Sequence, residues 1–234
     1  MKLIKKLFVI VLFFVFSMPM IAQDNKENSV LENALDDFKF RSIGPALMSG
    51  RIADIAIDPT NENVWYVAVG SGGLWKTTNS GTTWTPLTDK ESFYSTGCVT
   101  IDPHNNQKIW LGTGENVGGR HLGIGHGLFV SEDGGETWNP LGLKKSEHIS
   151  KVIVSPKDPN TIWVAVQGPL WSPGGERGLY KSTDGGKTWK NTLNINEWTG
   201  VTDLTIDASN PDILYAASWQ RHRNVAAYMG GGPG

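Results

Sequence analysis

Cysteine is almost missing from this chain: Cys98 stands alone among 234 residues. A single thiol excludes an intramolecular disulfide framework, so the fold has to hold by core packing. Charge of one sign is missing as well. With 21 Lys and Arg against 23 Asp and Glu, the formal charge is −2, and the pI of 6.2 leaves no basic footprint for nucleic acid. Long hydrophobic runs are limited to Leu7–Phe16, too short to span a bilayer comfortably. Lys2, Lys5 and Lys6 precede that run and Met20-Ile21-Ala22 follows it, so residues 1–22 read as an export signal. The membrane is then met only through this signal during export, and the destination is secreted, periplasmic or cell-surface. No Cys follows the run, which argues against a bacterial lipoprotein anchor.

Residues 23–37 form a polar leader, in which Leu31, Leu35 and Phe38 at helical spacing are compatible with a short helix. Helical periodicity is otherwise absent. The loop glycines Gly118-Gly119 and Gly230–Gly232 lack the following Lys-Ser/Thr of a phosphate cradle. Glu115, His121 and His126 do not have recognised metal-ligand spacing. No metal and no cofactor is expected.

Glycine and tryptophan are plentiful, at 28 and 10 residues. Part of that excess belongs to one nonapeptide written three times: Lys76–Trp84 (KTTNSGTTW), Val130–Trp138 (VSEDGGETW) and Lys181–Trp189 (KSTDGGKTW). A period of about 50 residues with short strands between turn signals marks a propeller or solenoid. Each copy suits a hairpin turn. Thr77 and Asn79, Ser131 and Asp133, and Ser182 and Asp184 can bond back to the turn backbone. Gly81, Gly135 and Gly186 supply positive φ, and Trp84, Trp138 and Trp189 open the outgoing strand with a large apolar face. The spaced acidic ligands and closing Glu of a calcium loop are not there, which favours a turn scaffold.

Around each nonapeptide the chain repeats one plan. An alternating strand ends near Asp-Pro or its equivalent (IADIAIDP, VTIDP, KVIVSP, DLTIDA), and a second strand opens on a large apolar residue (VWYVAV, IWLGTG, IWVAVQ, ILYAAS). A variable loop, a third strand, the nonapeptide turn and a fourth strand follow. Four antiparallel strands per repeat make a propeller blade. The expected fold is an all-β propeller truncated to about three and a half blades: residues 38–234, with blades at about 46–90, 91–143 and 144–196 and a partial blade at 197–234. Phe38–Ile43 is a candidate closing strand.

The three nonapeptides resemble Asp-boxes (BNR repeats), found in sialidases, sortilin-type ectodomains and xyloglucan-cleaving glycoside hydrolases. Phe40–Pro59 with VAVGSGGLWKTTNSGTTW most resembles large secreted bacterial proteins of sortilin-like or glycosyl-hydrolase-like kind, within the wider WD40/YVTN/BNR-like repeat group. The resemblance implies a propeller, in an enzyme or a binding module alike. In xyloglucan-cleaving propellers a Thr-Asp-Val-Gly-Gly motif supplies a catalytic Asp. Here the matching stretch is Val69–Gly73, which keeps the glycines and lacks the Asp.

Meander topology puts the nonapeptide turns on one face and the variable loops on the other, where function is expected. Those loops carry Arg120, His121, His126, Trp171, Arg177, Trp219, Arg221, His222 and Arg223, a mixture suited to a polar ligand with flat apolar faces such as a glycan. Solvated loop residues, with Trp171 and Trp219 packed between blades, are the alternative. Aligning the first strands sets Asp54, Cys98, Lys151 and Asp203 at one level, facing a central channel, although Cys98 by itself reads as a small buried or channel residue. Ile55, Ile57, Val99, Ile101, Val152, Val154, Leu204 and Ile206 then form the core. Asp54, Glu115 and Asp203 are the candidate catalytic carboxylates, since glycoside hydrolysis needs two, with Lys151 as counter-charge. The other possibility is a hydrated channel with structural ion pairs. The leading function is an exported binding module for a glycan or an extracellular protein, and the alternative is a glycoside hydrolase.

Overall fold

The described residues form four antiparallel sheets, each a simple meander. The computed structural model describes residues 50–116, 122–207, 209–224 and 228–230, all within one unit, Ser49–Gly234. The expected export signal, the expected leader and the candidate strand Phe38–Ile43 lie outside them. The first sheet holds β1 (Ile52–Ile57), β2 (Trp65–Val69), β3 (Gly73–Thr77) and β4 (Thr85–Pro86). The second holds β5 (Thr96–Asp102), β6 (Asn105–Thr113), β7 (Leu128–Ser131) and β8 (Asn139–Pro140). The third holds β9 (Ile149–Val154), β10 (Ile162–Val166), β11 (Gly178–Ser182) and β12 (Lys190–Leu193), and the fourth β13 (Thr199–Ile206), β14 (Leu214–Arg223) and β15 (Tyr228–Gly230). Successive first strands lie against one another, β1 on β5, β5 on β9 and β9 on β13. This is propeller-blade architecture, all-β among the described residues.

Period-2 alternation divides each strand between two cores. In the second blade Val99, Ile109, Leu111 and Phe129 pack toward blade one, with Tyr66, Ala68 and Leu74. Cys98, Trp110, Leu128 and Val130 pack toward blade three, with Val152, Val154, Ile162 and Val164. The third core joins Trp163 and Ala165 to Val201 and Leu204. Trp110 is fully buried, with its indole N–H donated to Asp102 at 3.0 Å. Side-chain burial of this kind is worth about 3 kcal/mol.

The expected channel lining is corrected here. Cys98 is completely buried between blades two and three, and burial pushes its thiol up to about 12. Ile55 and Ile57, expected in the core, are 52% and 50% exposed. Both faces of a first strand meet neighbouring blades, so its two side-chain sets divide between those neighbours rather than between core and channel. Ile55 and Ile57 lie on the face of blade one that no described blade covers.

Each first-strand pairing carries a register shift at the same level: between Ile52 and Asp54, between Thr96 and Cys98, opposite Ile149 and Lys151, and between Val201 and Asp203. A bulge re-aims the strand at that point. It marks the end of the blades at which the variable loops gather.

Candidate functional site

At the loop end, successive blades are tied by bonds between residues far apart in sequence. The Ser95 hydroxyl donates to the Gly70 carbonyl at 2.7 Å, joining blade two to blade one. A His148 Nδ1 contact to the Glu115 carbonyl at 2.9 Å joins blade two to blade three. From there the Ser150 hydroxyl reaches the Val201 carbonyl at 2.9 Å. These bonds make a rigid floor under the loops.

Glu115, which follows β6, has no exposed side-chain surface and pairs with Arg51, which precedes β1. Gly123 N–H donates to its second oxygen at 3.3 Å. The hydrogen bond from Arg51 to Glu115 raises the guanidinium's pKa above its ordinary value. Gly70 explains part of this placement. A Cβ there would come within 2.9 Å of the Glu115 Cγ and Cδ, so only glycine leaves room for the carboxylate arriving from the next blade. Gly70 lies in the Val69–Gly73 stretch that lacks an Asp.

Asp54 is half-buried and accepts from Val99 N–H at 3.2 Å. Lys151 reaches the same carboxylate oxygen at 3.6 Å, so blades one, two and three meet at this one group. Asp203 is exposed and accepts from the adjacent Leu204 N–H at 2.8 Å. The structure thus brings Asp54 and Lys151 together, while Glu115 makes its pair with Arg51.

The loop after β10 is organised by Arg177, which is only 3% exposed. Its guanidinium donates to the carbonyls of Gly174, Gln167, Trp198, Pro169 and Ser172. Burial lowers its pKa from the ordinary arginine value. Every Arg177 N–H group is spent on backbone, so this residue shapes the loop instead of meeting a ligand directly. Trp171, on the loop it shapes, is 54% exposed.

On β14, Trp219 is 39% exposed and Arg221 lies over its ring at 5.0 Å. His222 stacks on Trp198 with ring centroids 3.9 Å apart. Arg221 and Arg223 are buried; Arg221 bonds the Gln167 side-chain oxygen, and Arg223 N–H donates to the Leu170 carbonyl at 2.8 Å. His126 is exposed, and its backbone N–H donates to Thr113 Oγ1 at 2.8 Å. Arg120 and His121 lie outside the described residues. No group of three or more His, Cys, Asp or Glu able to hold a metal is present among the described residues.

Sequence reasoning gives no role to Arg51, His148 or Gln167. His148 is 1% exposed. Burial, then the positive charges of Arg221, Arg223 and Arg177, holds its pKa down at about 4, so it is neutral near pH 7. No local motif announces these three; each finds its partner 33 or more residues away.

At the opposite end the nonapeptides close on themselves. In the third copy Ser182 Oγ accepts from Gly186 N–H at 2.9 Å and Asp184 accepts from Thr188 N–H at 2.9 Å. The second copy repeats both bonds through Ser131 and Asp133, and the first through Thr77 and Asn79. Gly81, Gly135 and Gly186 have φ of 84°, 99° and 90°. Trp138 is buried at 8% exposure, whereas Trp84 is 40% exposed against Trp65. Trp189 donates to the Leu141 carbonyl at 2.7 Å, locking blade three to blade two.

The family model for the BNR/Asp-box repeat matches residues 129–140 and 180–191, the second and third nonapeptides. A probable oligoxyloglucan-reducing end-specific xyloglucanase of Neosartorya fischeri is 25% identical over 201 residues, covering 77% of this chain and 23% of that protein. A xyloglucanase of Acetivibrio thermocellus is 25% identical over 239 residues, covering 86% of this chain and 26% of that one. Among solved structures, an ancestral GH74 enzyme superposes with a TM-score of 0.59 at 24% identity, covering 74% of this chain and 23% of that chain. The chain thus spans about a quarter of the length of these relatives. It carries BNR/Asp-box repeats on propeller blades.

Proposed function

We propose that this chain is an exported, polysaccharide-binding propeller segment that receives a xyloglucan-type glycan on its variable-loop end. The observation that carries the reading is Trp171, 54% exposed on a loop that Arg177 fixes through five carbonyl bonds. A rigid, exposed aromatic ring is a stacking platform for a sugar face, and its ordering costs little on binding. The xyloglucanase names of the relatives point to the same ligand class, and Met1–Ala22 to export. Binding is preferred over hydrolysis because two candidate carboxylates are already committed, Glu115 to Arg51 and Asp54 to Lys151.

The test is retention on immobilised xyloglucan together with an assay for new reducing ends. Retention without release, weakened about 10-fold by Trp171→Ala, is the expected result. Equal retention of parent and variant would remove Trp171 from the site. A second reading, a glycoside hydrolase, is favoured by the relatives and by the exposed carboxylate of Asp203. Release of reducing ends that collapses in Asp203→Asn or Asp54→Asn would establish it in place of the first.

A further inference from the structure

Arg221 carries two hydrogen-bond donors with nowhere to go. The residue is 2% exposed. Its Nη1 bonds the neutral amide oxygen of Gln167, and the Trp219 ring lies 5.0 Å from its Cζ. Its Nε and Nη2 are buried and have no partner. Among the described residues the ion pairs are Arg51–Glu115, Lys108–Glu132, Lys151–Asp54 and Lys157–Asp212, so no carboxylate pairs with Arg221. A guanidinium does not shed its proton in a protein. The charge therefore persists, in surroundings that add to it: Arg221, Arg223 and Arg177 all act on His148, which burial and their fields keep neutral.

Water would answer the N–H groups but not the charge, and burying an unpaired cation is costly. The two orphan donors are also a matched pair. Nε–H and Nη2–H point in parallel from one edge of the guanidinium, the edge that grips a carboxylate side-on or converges on a halide.

We infer that the protein holds one small anion, carboxylate-sized or smaller, on the Nε and Nη2 edge of Arg221 between blades three and four. The site does not depend on the glycan reading. Its occupant is either a free solution anion or the carboxylate of a sugar acid, and the same chemistry serves both.

Thermal unfolding of the chain at fixed ionic strength tests this, with sodium Hepes replaced stepwise by sodium chloride, acetate or glucuronate. The expected result is a saturable rise in Tm of about 3–6 °C with at least one of these anions. Arg221→Met should abolish it, and Lys157→Met, at an exposed ion pair, should retain it. Gln167→Glu supplies a carboxylate from within, so it should raise Tm in Hepes and flatten the anion response. That variant decides the matter even where Arg221→Met does not fold. Saturation by glucuronate at lower concentration than acetate assigns the site to a sugar acid; a response confined to chloride and acetate assigns it to an enclosed solution ion. No anion-specific rise in the parent, or equal rises in the parent and Gln167→Glu, would overturn the inference.

Discussion

The two ends of the blades solve the same problem, satisfying polar groups at sharp chain reversals, in opposite ways. At the nonapeptide end the Ser and Asp side chains that close the turn have neighbours as partners: Ser131 bonds Asp133 and Gly135, and Asp133 bonds Thr137, all within four residues. At the loop end the partners come from other blades: Arg51 with Glu115, His148 with the Glu115 carbonyl, Arg221 with Gln167, separated by 64, 33 and 54 residues. Local closure lets each turn form on its own and be copied from blade to blade. Long-range closure makes the loop end depend on the blades being stacked in register. The end that can be copied is scaffold, and the end that cannot is free to become specific.

The comparison is broken most severely at Arg51 and Glu115. Arg51→Met leaves a fully buried carboxylate with the Gly123 N–H as its remaining hydrogen-bond donor. The expected loss is about 3 kcal/mol, the low end for breaking a buried pair because the arginine side chain is itself 42% exposed. Adding Glu115→Gln removes the stranded charge and should restore part of the loss. Urea unfolding midpoints of the two single variants and the double variant measure this. A double variant as unstable as the sum of the singles would mean that the two residues are not coupled.

A smaller effect is expected at the other end. Ser182→Ala removes the hydroxyl that accepts from Gly186 and leaves a buried N–H unmet, at a cost of about 1–2 kcal/mol. The damage should stay inside one turn. Amide exchange should quicken around Asp184–Thr188 and remain unchanged at the Arg177 loop. In Arg51→Met, exchange should quicken in blades one and two together. Spread from Ser182→Ala across blades would refute the local-closure account.

The same contrast explains what could be read from the sequence. The blades were legible because their signals are local: period-2 alternation, Asp-Pro turns and a repeated nonapeptide. The loop end was legible as a place but not as a set of contacts. Glu115 stood out as a carboxylate on a loop, but nothing near it names Arg51, and Gly70 gives no hint that it is a glycine to admit that carboxylate. Arg177 looked like a ligand-binding residue because its chemistry suits one, and the fold spends that chemistry on five backbone carbonyls. The expected channel lining failed at Cys98 for a topological reason. Alternation says that a strand has two faces, whereas only the stacking of blades says that both are neighbours' walls, as burial of Cys98 and exposure of Ile55 make plain.

The smallest effect, and the sharpest for the comparison, is on acid sensitivity. Hydrogen bonds from Thr137 and Thr188 hold the carboxyls of Asp133 and Asp184 down at about 2, below the ordinary 3.8. A carboxylate whose folded pKa lies below its unfolded one lends stability that is full above the unfolded value and lost as pH falls through the folded one. That places the loss between about pH 4 and pH 2. Both groups are solvent-exposed, so the contribution is modest and screened by salt. The first copy already shows a version without a titrating group. Asn79 accepts from Thr83 N–H at 2.9 Å and donates to the Thr83 hydroxyl at 2.9 Å, closing the same turn. The double variant Asp133→Asn, Asp184→Asn should therefore be near parental at pH 7 and lose less stability on acidification to pH 2. An acid limb as steep as the parent's would place acid sensitivity outside the repeated turns.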